Sequence, residues 1–313
     1  MRNKGLYAAL ASAVFLGMAP VFGKYAISVG MPPMGVVVLR TSLAALLLLV
    51  VLLIFKRSFL FIYPAGLLGC MLAGGINGLG SIFYYTALGR IDASLGQLLY
   101  SLYPLFVVLW LWMDHQPPSR LTIFRLGLII PAIYLLTFTR HQVLDIPGVL
   151  MMLAASILYA LHLPINQRVL LDMPAPTVTF YTLLAMSLVV APAYFFFSNS
   201  IGGSLNAAWG AVLGLTLVTF LSRLTLFLGV KHLGGAQTAL LGLGELLVTL
   251  VVSHLWLDER LSLAQWVGAL LLAVSLGLIA MEKPGPRKYS RGGWLSWLRP
   301  PGIPKDIAWP PGS

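Results

Sequence analysis

Glu245 and Arg223 are the residues best placed to do chemistry in this sequence, because each interrupts an otherwise apolar stretch. Glu245 falls roughly 15 Å along its stretch, and Arg223 and His162 each fall roughly 12 Å from one end of theirs, at the 1.5 Å rise of an α-helix. Asn77 falls near the centre of a third stretch. A carboxylate, a guanidinium and an imidazole thus share one layer of an apolar environment, where ionisable groups are costly and normally face a cavity or a partner. Glu245 and Arg223 are expected to form a charge pair. The pair either borders a substrate cavity or is a static clamp within the second half of the chain. If desolvation outweighs the influence of Arg223, Glu245 becomes a candidate proton-coupling group. His162 is expected as a packed, hydrogen-bonded core residue rather than a proton relay.

Towards the other ends of the stretches lie Lys24, Arg40 and Gln97. Lys24 is expected to snorkel to headgroups; Arg40 reads either as a packing residue or as an anion-attracting vestibule group. Tyr84, Tyr85, Tyr100 and Tyr103 cluster along the chain. Tyr84 and Tyr85 read as interfacial belt residues, whereas Tyr103, beside Pro104 at mid-depth, is a candidate for substrate contact through a hydroxyl that needs a partner. Pro20 and Pro164 fall at nearly equivalent places in the two halves and are hinge candidates. Pro104 and Pro131 also fall inside apolar stretches, and Gly74 and Gly78 have the spacing of a close helix contact.

Other chemistries lack their residues. No His-Glu-x-x-His sequence exists for a zinc protease, and no glycine-rich loop precedes Lys-Ser or Lys-Thr to cradle a nucleotide. The single cysteine, Cys70, forms no intrachain disulfide or multi-cysteine metal site and reads as a packing residue. Neither a metal site nor a cofactor is expected, and an intramembrane enzyme is the weakest reading. A passive channel stays open as an alternative, although a single chain lacks the rings of matched residues that symmetric pores use.

The elements that must position these groups follow from composition. The chain has 313 residues, 59% of them hydrophobic and only 9% charged, with a mean hydropathy of +0.91. Soluble domains carry about 25% charged residues, so the surrounding solvent here is largely lipid. Apolar stretches run over 5–29, 34–55, 61–88, 91–113, 120–139, 147–170, 176–197, 208–231, 235–257 and 262–281. Each approaches the length of about 20 residues that spans a bilayer as a helix. The net charge of +11 is spread over the ends of these stretches and the C-terminal tail, which argues against a nucleic-acid partner. With the N-terminus inside, Arg2, Lys4, Lys56, Arg57, Arg120, Arg168, Lys231 and the basic tail fall on the inner side, and only Arg90, Arg140 and Arg260 fall outside. Both termini are therefore expected in the cytoplasm. Residues 284–313, rich in Pro, Gly and Arg, are expected to form a disordered basic tail. Within it, Trp294-Leu-Ser-Trp-Leu-Arg299 is expected to be a passive interfacial anchor.

The sequence also repeats itself. Gly5-Leu-Tyr-Ala-Ala-Leu-Ala-Ser aligns with Gly148-Val-Leu-Met-Met-Leu-Ala-Ala, Met31-Pro-Pro33 falls near Met173-Pro-Ala-Pro176, and Trp110-Leu-Trp-Met-Asp114 matches His254-Leu-Trp-Leu-Asp258. Residues 1–143 and 144–283 are thus two five-helix units. An odd number of spans per unit makes the second copy enter from the opposite side. The expected fold class is an all-α integral membrane protein, ten transmembrane helices arranged as two inverted five-helix repeats, with a site between the halves.

Three sequence features resemble one family. They are the Pro32-Pro33…Leu39-Arg40 opening of the second stretch, Ser101-Leu-Tyr-Pro-Leu105 in the fourth, and the hairpin Leu255-Trp-Leu-Asp-Glu-Arg-Leu-Ser-Leu-Ala-Gln-Trp-Val-Gly-Ala269. Together with the two five-helix halves they are similar to the EamA-type transporters of the drug/metabolite superfamily, over about residues 5–281. Two positions depart from that pattern: Glu245 is followed by Leu246 rather than proline, and the fourth-to-fifth turn reads Asp114-His115-Gln116. The resemblance implies an exporter of small metabolites, amino acids or related compounds among them, in the plasma (cell inner) membrane. Its partners would be the lipid bilayer, a small-molecule substrate and protons, as a monomer or homodimer.

Overall fold

The computed structural model describes residues 2–88, 90–91, 99–137, 145–197, 205–248, 262–278 and 293–298. Gln97, Arg140 and the turn at 258–260 lie outside the described residues, as do the side chains of Pro20 and Lys24. The regular elements described are all helical. They are α1 (Arg2–Ser28), α2 (Pro33–Phe55), α3 (Pro64–Leu88), α4 (Tyr103–Met113), α5 (Arg120–Thr137), α6 (Ile146–Leu170), α7 (Ala175–Phe197), α8 (Leu205–Leu233), α9 (Gly235–Gly242) and α10 (Leu263–Gly277), with a 3-10 turn at Arg57–Leu60.

Among the described residues, five segments are long and apolar enough to cross a bilayer: Met34–Phe55, Pro64–Ala87, Ile146–Leu170, Ala175–Phe196 and Trp209–Leu233. Their outward faces carry large apolar side chains, including Phe196 at 83% exposure and Phe55 at 73%. Water would penalise an apolar surface of this extent, and hydrocarbon does not. The chain is a multi-pass membrane protein.

Local sequence explains the ends of several helices. Pro33 opens α2, where a missing N–H is no loss. Asp145 caps α6 by accepting the Gly148 N–H at 2.9 Å. Gly234, at φ 93°, turns the chain between α8 and α9, a left-handed conformation that glycine adopts without strain.

The fourth helix differs from expectation. The apolar stretch 91–113 places Pro104 mid-helix, but α4 starts at Tyr103, Pro104 lies in its first turn, and Ser101–Leu102 form a turn just before it. Its counterpart in the second half is interrupted too: α9 ends at Gly242, a turn at Leu243 follows, and helix resumes to Val248. These corresponding helices carry the matched interruptions that the proline pattern assigned to α1 and α6.

Packing reproduces the repeat. Helix α1 lies against α8, as α6 lies against α3; α3 meets α7, as α8 meets α2; α4 meets α6, as α9 meets α1. Three further pairs, α2 with α7, α4 with α9 and α5 with α10, join equivalent members of the two halves. Exchanging the halves maps these pairs onto one another, while α8 also meets α6 and α9 within the second half. Helix α3 approaches α7 through Gly74, whose missing Cβ would collide with the Thr182 carbonyl, and Gly78, whose Cβ would lie 3.1 Å from the Met186 carbonyl. The α5–α10 pair is joined by Arg125, fully buried, whose Nε donates to the Ser275 carbonyl at 2.8 Å.

Candidate functional site

The central site grows from one face of α6. Tyr159 and His162 are three residues apart, on adjacent positions of that face. The His162 Nδ1–H donates to the Tyr159 carbonyl. Its ring packs on Tyr159, with centroids 4.7 Å apart, and faces Phe227 of α8 at 6.4 Å. The expectation of a packed, hydrogen-bonded histidine thus matches its surroundings, although its Nε2 is buried with no partner among the described residues.

Helix α4 and the residues before it add the aromatic wall. Tyr103 stands edge-on to Tyr159 at 4.9 Å, Tyr100 lies 5.3 Å from Tyr159, and Tyr84 of α3 lies 4.8 Å from Tyr100. Tyr103 is buried, and its hydroxyl donates to the Ala239 carbonyl of α9 at 2.9 Å. Gly242, one turn further along α9, leaves room for that hydroxyl; a Cβ there would collide with it.

The charges complete the site from the second half. The Arg223 guanidinium of α8 lies over the Tyr159 ring, 5.6 Å from its centroid, and its Nη1 is buried with no hydrogen-bond partner among the described residues. Glu245 follows the α9 interruption by two residues, in the helical segment that resumes to Val248. Gly17 of α1 permits this placement, because a Cβ there would stand 2.9 Å from the Glu245 carbonyl oxygen. Arg40 reaches the same aromatic row from α2, stacked over Tyr85 at 5.4 Å. Tyr85 in turn touches Tyr84, with ring centroids 5.2 Å apart.

Of the residues singled out in the sequence, Arg223, His162 and Tyr103 all pack around Tyr159, Arg40 reaches the same aromatic row through Tyr85, and Glu245 lies just past the break in α9. Asn77 does not. It is buried between α3 and α7, where its Nδ2 meets Met186 Sδ at 3.6 Å and its carbonyl accepts from Ser81. Tyr84 also stands in the aromatic row, between Tyr85 and Tyr100. Tyr159, which joins the cationic and aromatic parts, was not anticipated; its spacing from His162 was the available signal. Pro164 is buried within α6, one turn from Ala160 and next to the site's supporting face.

A second polar cluster, also unanticipated, closes the end of the bundle where Gly5 of α1 packs on His232 and Leu233. Arg168, in the last turn of α6, pairs through Nη2 with Asp114 Oδ2 at 2.7 Å, and both side chains are shielded, at 2% and 0% exposure. Gln116 Nε2 donates to the same Oδ2 at 3.0 Å. Gln167 Nε2 donates to Gln116 Oε1 at 3.1 Å, and Gln167 Oε1 accepts the Gly235 N–H at 2.6 Å. Arg168 was read from sequence as an inner-side charge near the end of the stretch 147–170; the structure shows it bound across the halves.

The expected disordered tail also differs for residues 293–298, which dock on this cluster. The Leu295 N–H donates to Asp114 Oδ1 at 3.2 Å, and Trp294 Nε1 donates to the Trp110 carbonyl at 3.3 Å. Leu295 and Leu298 are buried against Ala73 and Ile165, which leaves Trp297 as the exposed aromatic.

A helical membrane protein of two matched halves, with opposite charges and four tyrosines gathered where the halves meet, has the architecture of a membrane transporter. The EamA-like transporter family model matches residues 3–138 and again residues 146–281, and the chain belongs to that family. One solved crystal structure shares the fold with a TM-score of 0.74 at 18% identity, covering 90% of this chain and 98% of its own. No curated protein sequence matches this chain significantly.

Proposed function

We propose that this protein is a secondary transporter that exports small metabolites, amino acids or related compounds, across the plasma membrane by alternating access. In this reading its ten helices are ten spans, the halves are inverted, and both termini face the cytoplasm, as the distribution of Lys and Arg requires. The observation that carries the reading is Arg223, buried over Tyr159 with Nη1 lacking a hydrogen-bond partner among the described residues, beside the row of Tyr84, Tyr100 and Tyr103 and near the break in α9 that precedes Glu245. The unpartnered Arg223 Nη1 is a ready donor to a substrate carboxylate. Glu245 can accept from an ammonium group, and the tyrosine faces offer contact to an apolar body and to the cation. Opposite charges in one apolar chamber favour a substrate that brings both signs and leaves neither group unpaired.

Flux of labelled amino acids in proteoliposomes, with and without a pH gradient, tests this. Saturable flux is expected, with kcat/KM falling about 100-fold or more in Arg223→Ala and in Glu245→Gln, the loss of a charge-assisted contact in a buried site. Acceleration by the gradient would assign proton coupling to the carrier. Unsaturable flux would make the protein a channel, and absence of flux above protein-free vesicles would remove the exporter reading.

A further inference from the structure

We propose that residues 293–298 are a latch that holds the Asp114–Arg168 end of the transporter closed, so that this end opens only when the segment lifts away. The inference rests on the carrier reading for what the gate admits; docking and opening themselves need no substrate.

Three observations distinguish a latch from an incidental tail contact. The first is the place of docking. The segment sits where the two halves are joined, bonding to Trp110 and Asp114 of the first half and burying its leucines beside Ile165 of the second. Leu298 also fills the space above Gly69, where a Cβ would lie 2.9 Å from Leu298 Cδ2, with Val169 on the other side at 2.8 Å. Any movement that parts α3 from α6 here must first release these leucines.

The second is the division of labour on one carboxylate. Arg168 and Gln116 both donate to Asp114 Oδ2, while the latch's Leu295 N–H is bound to Oδ1. The segment therefore binds the gate's own acid directly, through the oxygen that the ion pair leaves to it. Lifting it exposes the ion pair to a high dielectric, where its attraction weakens several-fold. Latch and gate are thus coupled through a shared atom group.

The third is the fit at Gly293. Its φ of 86° suits glycine, and a Cβ would collide with Asp114 Oδ1 and stand 3.1 Å from Asp114 Cα. The chain passes as close to the gate acid as a backbone can. A segment that binds one conformation in this way shifts the equilibrium towards it by its differential affinity. Basic residues flank it at Arg291 and Arg299, so an anionic membrane surface is a natural competitor for the same segment.

Hydrogen exchange of the full chain in lipid nanodiscs provides the test, comparing wild type with Gly293→Val and with Leu295→Asp/Leu298→Asp. In wild type the Leu295 amide should be protected. In either variant that protection should be lost, and the amides of Asp114–Gln116 and Gly235–Gln237 should exchange about tenfold faster or more. Amides of α1 facing α8, such as Ala9–Ala13, should keep their protection and so report an intact fold. Two results would overturn the proposal: an unprotected Leu295 amide in wild type, or unchanged exchange at Asp114–Gln116 in a folded variant whose segment has come free. Should the double leucine variant fail to fold, Gly293→Val carries the test alone, since its added atoms strike only the docking contact. Lack of amino-acid flux would sink the carrier reading and leave these exchange results standing.

Discussion

Helix α6 is held at each end by an arginine–aspartate pair that reaches across the halves, and the two pairs differ in almost every physical respect. At its start, Arg90 and Asp145 meet at 3.3 Å with 45% and 31% of their side chains exposed. At its end, Asp114 and Arg168 meet at 2.7 Å with 0% and 2% exposed, inside a network of two glutamines and a docked segment. Exposed pairs contribute little, because water and salt compete for both partners. Buried pairs owe less to attraction than to the cost of breaking them, since removal of one partner strands a charge. One end of α6 is therefore held loosely and the other firmly. Under the proposed alternating-access reading, such asymmetry would let one side stay shut while the other opens.

The largest effect belongs to the buried pair. Asp114→Ala or Arg168→Ala should each destabilise the folded protein by about 3–5 kcal/mol, the cost of an uncompensated buried charge. A thermal-denaturation series in detergent would measure it. The double substitution Asp114→Ala/Arg168→Ala should recover part of the loss, because neither charge is then stranded. Additive losses in the double variant would mean that the two side chains do not act as a pair.

Between the two ends, the Tyr103 hydroxyl joins α4 to α9 by one neutral bond to the Ala239 carbonyl. Tyr103→Phe keeps the aromatic contact with Tyr159 and removes only that bond. It should cost about 1 kcal/mol, measurable as a lowered Tm, with a larger effect on transport if the hydroxyl also meets substrate. A Tm equal to wild type together with unchanged transport would reduce Tyr103 to packing.

The fold was legible where physics acts through composition. Apolar length and loop punctuation marked the helices and the two halves, because a bilayer demands uninterrupted apolar helices. Depth along each helix put Arg223 and His162 at one level, and both pack on Tyr159. Depth carries no information about azimuth, however, so Asn77, at the right level, points between α3 and α7 instead of into the site. Breaks in α4 and α9 were hidden as well. Pro104 marks the start of a helix rather than a kink, and the turn at Leu243 is signalled only by its flanking Gly242 and Gly244. The Asp114–Arg168 pair was the hardest to foresee, since its partners are 54 positions apart and each taken singly looks like an ordinary end-of-helix charge. The tail's composition argued for disorder, yet two leucines and a glycine in six residues suffice to dock when a groove of matching shape exists.

The smallest effect should come from the exposed pair, and its sign can be worked out. The Gly148 N–H at the start of α6, assisted by Arg90, holds the Asp145 carboxyl below the usual carboxylate range. A group lowered in this way stabilises the fold above its unfolded pKa of about 3.9 and loses that contribution as pH falls through the folded value. At neutral pH, Arg90→Ala and Asp145→Ala should each lower Tm by a few degrees at most, and the Arg90 effect should fade in high salt. Below about pH 4 the gap between wild type and Asp145→Ala should narrow, because the protonated acid no longer draws on Arg90 or the helix dipole. A gap that widened on acidification, or one that equalled the loss in Asp114→Ala, would mean that the exposed pair holds α6 as firmly as the buried one, and the proposed asymmetry along α6 would fall.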